Sequence, residues 1–341
     1  MKKVNVLLLS LIVLLAACGG GKSDSGNGQS PDGQQKTATP HELTEAKGGK
    51  YYGGIFRYNE TGNFRTLYPL NSTEVVGHRI MNQVYEGLVT FNQADLTIKP
   101  ALAESWEMDE SGTVYTFKIR QGVKFHDDEC FEGGKGRELT AHDFKYSFTK
   151  LCTSDDMPNE GFTFVRDRIK GAAAYYQATK NGTAPSEGVP GIRVVDDYTF
   201  QIELERPSDE ILGILALPYG YVFPKEAVDH YGLEMRVKTV GTGPFMLKSI
   251  REGEIVLLHR NPNYWAVDEH GNQMPYLDGI QVSFIRAEQT AMQEFKQGKL
   301  DMKYRIPVEM IEEVMDRNRN LKEGYEQYQL QHKTGLTVEY Y

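Results

Sequence analysis

The chain has 341 residues, of which 40% are hydrophobic and 25% are charged, a composition typical of water-soluble globular proteins and a length sufficient for two domains. Its formal net charge is −9, from 47 acidic and 38 basic residues without a long basic run. This balance argues against nucleic acid as a partner, because binding to nucleic acid rests on clustered lysine and arginine.

The first segment has the features of an export signal. Two lysines precede an almost wholly apolar run over residues 4–15. This run is too short for a transmembrane helix, which needs about 20 residues, but it matches the hydrophobic core of a signal peptide. It ends in the sequence LAAC, which resembles the bacterial lipobox. That resemblance implies a signal peptide over residues 1–17 and a lipid on Cys18. An ordinary signal peptide that ends near a cysteine is the alternative.

Residues 18–50 are predicted to form a disordered tether. After Cys18, the only apolar side chains before residue 51 are those of Ala38, Leu43 and Ala46. These are too few to offset the entropy lost on ordering the segment. The folded body is therefore expected to begin near Tyr51. No later segment of the sequence approaches transmembrane length.

The first half of the body alternates strands with helices. A strand is predicted over residues 54–59 and a helix over 73–86, where apolar side chains recur every four residues. A hairpin follows, with arms over 104–108 and 114–120; its second arm alternates like a half-buried strand. Thr140, with an aspartate three residues later, predicts the capping box that begins another helix.

The second half is predicted to contain a helix over 165–179, hairpins over 192–204 and 245–259, a strand over 280–286, and a helix over 288–297 that ends at Gly298. Together these elements predict a mixed α/β fold with many pairings between distant segments. No internal repeat is evident.

Signatures of catalysis are missing from the sequence. The glycines at 133–136 lack the Lys-Ser or Lys-Thr pair of a phosphate-binding loop, and Pro244 spoils a dinucleotide fingerprint at 241–243. The sequence also contains a group of side chains of metal-ligand type, but their spacing is not one recognised for metal sites: His126, Asp127, Asp128, Cys130 and His142. We therefore predict a protein that is not an enzyme and that carries no metal or cofactor. The 20 tyrosines suit ligand binding, because the ring packs while the hydroxyl forms hydrogen bonds.

Two cysteines, Cys130 and Cys152, remain after Cys18. In an oxidising compartment they could pair as a disulfide, provided that their Cα atoms come within about 7 Å. The sequence leaves both a disulfide and two free thiols open.

Several strings of residues resemble the family 5 solute-binding proteins, the dipeptide- and oligopeptide-binding subunits of ABC importers. In chain order they are YEGL at 85–88, PALAESW at 100–106, YTFKIRQGVKFHD at 115–127, LTAHDFKYS at 139–147, GTGPF at 241–245, RNPNYW at 260–265 and GKLD at 298–301. Each string is modest alone, but together they follow the order and spacing of the family. The resemblance covers the chain from about residue 53 to its end.

The resemblance implies an α/β fold of the type II periplasmic-binding-protein class, a bilobal flytrap with an additional small domain. Lobe one would comprise residues 51–72 and 188–261, and the additional domain would be inserted over 73–187. Residues 262–341 would form the start of lobe two. The segment at 129–138 is longer than the usual turn of the family. Family members also continue past residue 341, so we expect the second lobe to be incomplete and the chain to be a fragment of a longer protein.

The function implied is capture of di- or oligopeptides outside the cytoplasmic membrane and their delivery to an ABC permease and its ATPase. We expect a lipid-anchored monomer, with the peptide paired along strand-like segments. Nickel chelates, haem, opines or oligosaccharides are alternative ligands, and a peptide sensor without transport is an alternative role.

The same resemblance implies ligand-binding residues in two regions. The first region follows the first strand and consists of Asn63, Phe64 and Arg65. The second region would lie near the hinge and the cleft and consists of Thr242, Gly243, Tyr264 and Trp265. For the first region, the alternative is an ordinary loop. For the second region, the alternatives are a tight turn that needs Gly243 and packing of Tyr264 and Trp265 in the core.

Overall fold

The structure is a computed structural model that describes residues 43–330. The predicted signal peptide, Cys18 and most of the predicted tether lie outside the described residues. The same is true of residues 331–341.

The described residues contain short helices and strands in a mixed order. The strands are β1 (Thr44–Glu45), β2 (Tyr51–Tyr52), β3 (Ile55–Glu60), β4 (Val89–Phe91), β5 (Ile98–Pro100), β6 (Ala103–Met108), β7 (Val114–Ile119), β8 (Ile192–Asp196), β9 (Thr199–Glu203), β10 (Phe245–Arg251), β11 (Ile255–Arg260) and β12 (Gly279–Phe284). The α-helices are α1 (Val75–Val84), α2 (Ala141–Leu151), α3 (Phe162–Val165), α4 (Ala172–Lys180), α5 (Ile211–Leu215), α6 (Lys225–Tyr231), α7 (Glu288–Lys296) and α8 (Ile311–Val314). Within the described part of the chain, no helix is both long and apolar enough to cross a membrane.

One four-stranded sheet has the order β10-β11-β12-β3. Its neighbours are antiparallel except for β12 and β3, which run parallel with Ile280 opposite Phe56. The buried face carries alternate residues of β11 and β12, and Val256 pairs directly with Val282. This alternation follows from the two-residue period of a strand with one face in the core.

A second four-stranded sheet has the order β6-β7-β9-β8 and is wholly antiparallel. Phe117 and Phe200 are paired across β7 and β9, and Phe200 packs against Phe144 and Phe148 of α2, each at 5.7 Å between ring centroids. The predicted start of α2 is confirmed: Thr140 forms a capping box with an aspartate at the third helical position.

The predicted division into lobes does not follow the sheets. A boundary at residues 187 and 188 would place β8 and β9 with lobe one, whereas β9 pairs with β7 in the second sheet. Similarly, β12 lies beyond the predicted start of lobe two at residue 262 but pairs with β3. Local patterns do not specify these pairings, because the paired strands are distant in the chain. The lobe boundaries themselves stay a prediction.

Two local predictions also differ from the structure. The helix predicted over 165–179 begins only at residue 172, as α4; residues 166–171 are not helical, and Gly171 before α4 has a φ of 75°. The ordered chain begins before Tyr51, because Thr44 pairs with Tyr52 in a small antiparallel ladder of β1 and β2. The end of the predicted tether therefore belongs to the folded body.

Candidate functional site: a carboxylate held by the 242 and 264–265 segments

The end of α1 lies very close to the loop at 241–243. A Cβ atom on Gly241 would lie 2.1 Å from the carbonyl oxygen of Val84, and one on Gly243 would lie 2.7 Å from that of Gln83. The Gly243 amide donates to the Val84 carbonyl at 2.9 Å. Neither glycine is among those with positive φ. Space rather than turn conformation therefore requires glycine at both positions.

This close approach brings Glu86, two residues after α1, to the centre of a polar cluster. The Thr242 hydroxyl donates to Glu86 Oε2 at 2.8 Å, and the Tyr264 hydroxyl donates to Glu86 Oε1 at 3.0 Å. The Trp265 indole N–H is shared between both carboxylate oxygens at 3.1 Å each. The structure thus joins three of the predicted site residues through a residue that was not predicted.

Burial of Glu86 governs its ionisation. Loss of water around the carboxyl raises the pKa of Glu86 to about 7, while hydrogen bonds from Thr242, Trp265 and Tyr264 and the charge of Arg120 oppose this shift. The Arg120 guanidinium lies over the Trp265 ring, 4.1 Å from its centroid, which is the geometry of a cation–π contact. A cation, a carboxyl group and two aromatic rings therefore form one cluster.

A buried histidine fixes the same loop from its other side. His126 Nε2 contacts the Gly243 carbonyl at 2.8 Å, and the Gly241 amide donates to Nδ1 at 3.4 Å. This pattern selects the neutral ring with its proton on Nε2. Burial lowers the pKa of His126 to about 4, which agrees with a neutral ring. Asn261 also donates to the Gly243 carbonyl, at 3.0 Å.

The other predicted site residues lie in a separate group. Phe64 is 7% exposed and packs against Phe284 at 5.9 Å between ring centroids. Arg65 Nε lies 3.2 Å from a carboxylate oxygen of Glu74, and Asn63 is exposed on the same loop. This group contacts residues 73 and 74 before α1, β12 and Arg236. In contrast, Thr242, Tyr264 and Trp265 contact Glu86.

The structure chooses between the two alternatives for the cysteines, and it shows other partners for one of the side chains considered as metal ligands. Cys130 and Cys152 are free thiols, so the disulfide alternative is wrong. Cys152 is buried at the end of α2, and burial raises the pKa of its thiol to about 12. Of the side chains considered as metal ligands, Asp127 instead accepts hydrogen bonds from the Lys135 ammonium and the Gly136 amide.

Glu86 and Arg120 were missed as site residues although both lie in strings that resemble the family. A signal for Glu86 was present, since it is a charged residue between apolar Tyr85 and Leu88, both of which are buried. A charged side chain is seldom placed there without partners. The partners themselves come from segments 34 to 179 residues away, which no local pattern specifies.

Chemically, the cluster holds two aromatic side chains in place. Glu86 restrains Tyr264 and Trp265, whose ring centroids lie 5.6 Å apart at an interplanar angle of 52°. Both rings are half-buried. Restrained aromatic side chains offer apolar area together with polar groups at a small cost in conformational entropy.

Comparison with known proteins identifies the family. The model of the bacterial extracellular solute-binding proteins, family 5 (middle), matches residues 97–341. The chain is 27% identical over 260 residues to the periplasmic oligopeptide-binding protein OppA of Salmonella typhimurium, covering 75% of this chain and 44% of that protein. It is 29% identical over 191 residues to di/tripeptide-binding protein 2 of Pseudomonas aeruginosa (53% and 33%), and 30% identical over 225 residues to heme-binding protein A of Haemophilus influenzae (64% and 38%).

Solved structures share the fold. DppA from Helicobacter pylori, in complex with the peptide STSA, matches with a TM-score of 0.65 at 23% identity, over 77% of this chain and 49% of that one. An oligopeptide ABC transporter substrate-binding domain from Bacillus anthracis matches with a TM-score of 0.62 at 26% identity, over 72% and 44%. The chain thus spans a third to a half of the length of these proteins. It belongs to the bacterial extracellular solute-binding proteins of family 5.

Proposed function

We propose that the protein is the lipid-anchored solute-binding subunit of an ABC importer, which captures di- or oligopeptides outside the cytoplasmic membrane and delivers them to the permease. The match of residues 97–341 to the family model carries this proposal, because relatives named for peptide binding share the same family. A monomer is expected, since capture and delivery need one solute site for each molecule.

Within this proposal the aromatic pair has the most direct role. Tyr264 and Trp265 follow β11, close to the predicted start of lobe two, so their rings would face a solute held between the lobes. Thr242 and Gly243 would act through Glu86 and α1 rather than by touching the solute, because Thr242 is 1% exposed. Phe64 is likewise buried, so Asn63 and Arg65 are the better candidates for contact on their loop.

The ligand is tested with the full-length protein encoded by the gene, because the present chain spans only part of its relatives. Thermal unfolding is measured with tripeptides, free amino acids, haem, a nickel chelate and an oligosaccharide. A ligand that binds only the native state at 100 times its Kd stabilises it by about 2.7 kcal/mol. Tripeptides should raise the melting temperature and free amino acids should not. Stabilisation by haem alone, accompanied by a change in its absorption spectrum, would instead favour the chemistry of the relative named for heme.

Attachment and transport need separate tests. Mass spectrometry of the mature N-terminus should find acyl chains on Cys18, and a Cys18→Ser variant should leave the membrane fraction. Two chains are needed for durable anchoring, since buried methylenes contribute about 0.8 kcal/mol each. Loss of labelled-peptide uptake in a deletion strain, restored by the intact gene, would support transport. Unchanged uptake would favour a sensor.

A further inference from the structure

The hairpin formed by β1 and β2 docks on a loop from the second half of the chain. We call residues 44–52 the N-terminal hairpin, whose turn is closed by a bond from the Ala46 amide to the Lys50 carbonyl at 2.9 Å. Residues 266–274 form a second, small hairpin with an antiparallel bridge between Val267 and Gln273. We call it the 266–274 hairpin. The contact between the two hairpins joins residues that are 225 positions apart, so it is a property of the tertiary fold.

The side chain of Asn272 joins the two hairpins. The Lys47 amide donates to Asn272 Oδ1 at 3.0 Å, and Asn272 Nδ2 donates to the Lys47 carbonyl at 3.0 Å. The same Nδ2 atom donates to Asp268 at 2.9 Å, and Asn272 is 6% exposed. Because the carboxamide bonds to both backbone groups of Lys47, it holds the backbone there whatever the side chain is. A buried carboxamide that lost these partners would be costly, which favours the docked state.

Two further contacts keep the N-terminal hairpin in place. The rings of Tyr52 and Tyr276 lie 5.3 Å apart between centroids, and the Gly53 amide donates to the Tyr276 carbonyl at 2.9 Å. The His270 ring packs on Gly48, where a Cβ atom would lie 2.2 Å from it. Gly48 also has a φ of 71°, a conformation that favours glycine. The turn of the N-terminal hairpin and β2 therefore both take part in the docking.

From the 266–274 hairpin, the contacts continue to the aromatic pair Tyr264 and Trp265. Gln273 Nε2 donates to the carbonyl of Tyr264. The carbonyl of Ala266, which follows the pair directly, accepts from the Met274 amide at 3.0 Å. The backbone on both sides of the pair is thus held by the 266–274 hairpin, while the polar ends of the two side chains bond to the carboxylate of the cluster described above.

We propose that the N-terminal hairpin is a positioning element of the candidate site, which acts through Asn272 and the 266–274 hairpin on the aromatic pair. When the N-terminal hairpin is docked, the backbone of the pair is fixed and both polar groups reach Glu86. When it is not docked, Asn272 loses its partners, and the two donors to Glu86 are held less firmly. The value of this arrangement for solute capture rests on the proposed function, whereas the positioning itself does not.

The ionisation of Glu86 reports how firmly the aromatic pair is held. Burial raises the pKa of Glu86 to about 7, and hydrogen bonds from Thr242 and the aromatic pair, with the charge of Arg120, act against that rise. Weaker bonds from the pair therefore give a higher pKa. Burial also raises the pKa values of Tyr221 and of the tyrosine in the pair, and it lowers the pKa of His126 to about 4. None of these three groups titrates between about pH 5.5 and 9.

The experiment uses the full-length protein labelled with fluorotryptophan. Fluorine NMR follows the indole of Trp265, whose resonance is assigned by its loss in Trp265→Phe. Since the indole N–H is shared by both carboxylate oxygens of Glu86, the resonance should move as that carboxyl titrates. Its midpoint should lie near pH 7 in the unchanged protein. Asn272→Ala should move the midpoint to higher pH by at least about 0.5, because it weakens bonds to the charged form.

Substitutions of Lys47 separate backbone docking from an effect of the side chain. Lys47→Pro removes the N–H that donates to Asn272. The backbone accepts proline there, because Lys47 begins a short 3-10 helix and Ala46 before it is extended, with φ −115° and ψ 171°. This variant should move the midpoint in the same direction as Asn272→Ala, and it replaces that variant if the latter does not fold. Lys47→Ala keeps both backbone bonds and should leave the midpoint unchanged.

Asn59→Ala is the matched control for loss of a buried carboxamide. Asn59 is 7% exposed and bonds to both backbone groups of Ile285, at 2.7 and 3.1 Å, just as Asn272 bonds to those of Lys47. Within residues 43–330, neither Asn59 nor Ile285 forms a hydrogen bond with the cluster around Glu86. The control should therefore lower stability without moving the midpoint.

Several results would overturn the proposal. They are an unchanged midpoint in Asn272→Ala, an equal shift in Asn59→Ala or in Lys47→Ala, and a resonance of Trp265 that does not titrate in the unchanged protein. Binding of tripeptides is a separate measurement, in which Asn272→Ala should weaken affinity more than Asn59→Ala does. If no peptide binds, the proposed function fails, and the titration of the Trp265 resonance still decides whether the N-terminal hairpin positions the pair.

Discussion

Glu86 and His126 fix the same loop but respond to pH with opposite signs. The carboxyl group has a raised pKa of about 7, so it favours the folded state most at low pH. The imidazole has a lowered pKa of about 4, so it favours the folded state when it is neutral. Between pH 4.5 and 6.5 the two contributions oppose each other, which makes the loop less sensitive to pH than either residue alone.

Replacing Glu86 with glutamine should change how stability depends on pH. The stabilisation from the raised pKa is fully present below the unfolded value of about 4.5 and is lost as pH rises through 7. Glu86→Gln should therefore reduce the decline in unfolding free energy between pH 5 and 8, measured by urea denaturation. Glu187→Gln, at an exposed glutamate, is the control. An unchanged decline in the Glu86 variant would contradict the assigned burial.

His126 gives a second, spectroscopic prediction. Its ring proton resonance should move with pH near 4 in the folded protein and near 6.5 in the protein unfolded by urea. The stability held by the neutral ring is present above about 6.5 and declines as pH falls towards 4. His126→Gln should flatten the acid side of the stability profile. A ring that titrates near 6.5 in the folded protein would show that the contacts to Gly241 and Gly243 do not hold.

At the scale of elements, the contact between α1 and the loop at 241–243 sets the geometry of the site. Gly241→Ala would place a methyl group 2.1 Å from a backbone oxygen of α1, so the helix and the loop would have to separate. Overpacking of this kind costs about 1–3 kcal/mol. We expect a loss of stability in that range by urea denaturation, together with altered tryptophan emission from the displaced 265 segment.

Gly213→Ala is the matched control for this change. Gly213 lies within α5, and a Cβ atom there would have nothing within 4 Å. Alanine should therefore be tolerated or should stabilise the helix by up to about 1 kcal/mol. Equal losses in the two variants would refute the steric explanation.

The helices and strands show which parts of the fold local sequence patterns can predict. The capping box of α2, helix α1 and the three hairpins follow from spacing within about ten residues, and each lies close to its predicted position. Buried residues of 165–179 also keep helical spacing, yet residues 166–171 are not helical. There, Lys170 bonds through its backbone to Glu203 and Gly191, which draws the chain into the second sheet. Distant hydrogen bonds override a local pattern that is otherwise helical.

The candidate site shows the same limit. The rings of Tyr264 and Trp265 and the glycines of the loop could be selected from the sequence, because strings that resemble the family contain them. Their shared partner Glu86 could not be assigned, since its donors become neighbours only when the loop at 241–243 packs on α1. Side-chain partners that are distant in sequence depend on the tertiary fold.

At the scale of the whole molecule, the proposed closure on a peptide should be visible through one tryptophan. The sequence has two, Trp106 in β6 and Trp265 in the cluster with Arg120 and Glu86. Binding of a peptide between the lobes should change the emission of Trp265 in the full-length protein. The change should persist in Trp106→Phe and disappear in Trp265→Phe. A response carried by Trp106 instead would place the solute away from the 264–265 segment.

The parallel pairing of β3 with β12 has a consequence for biosynthesis. Residues 61–278 lie between these strands, so β3 leaves the ribosome long before its partner exists. At about 5–20 residues per second, the partner follows about 10–40 s later. During that interval the strand Ile55–Glu60 is a nascent, unpaired edge that can join a neighbouring chain. A chaperone that protects the newly made protein would therefore be most useful at its first long strand.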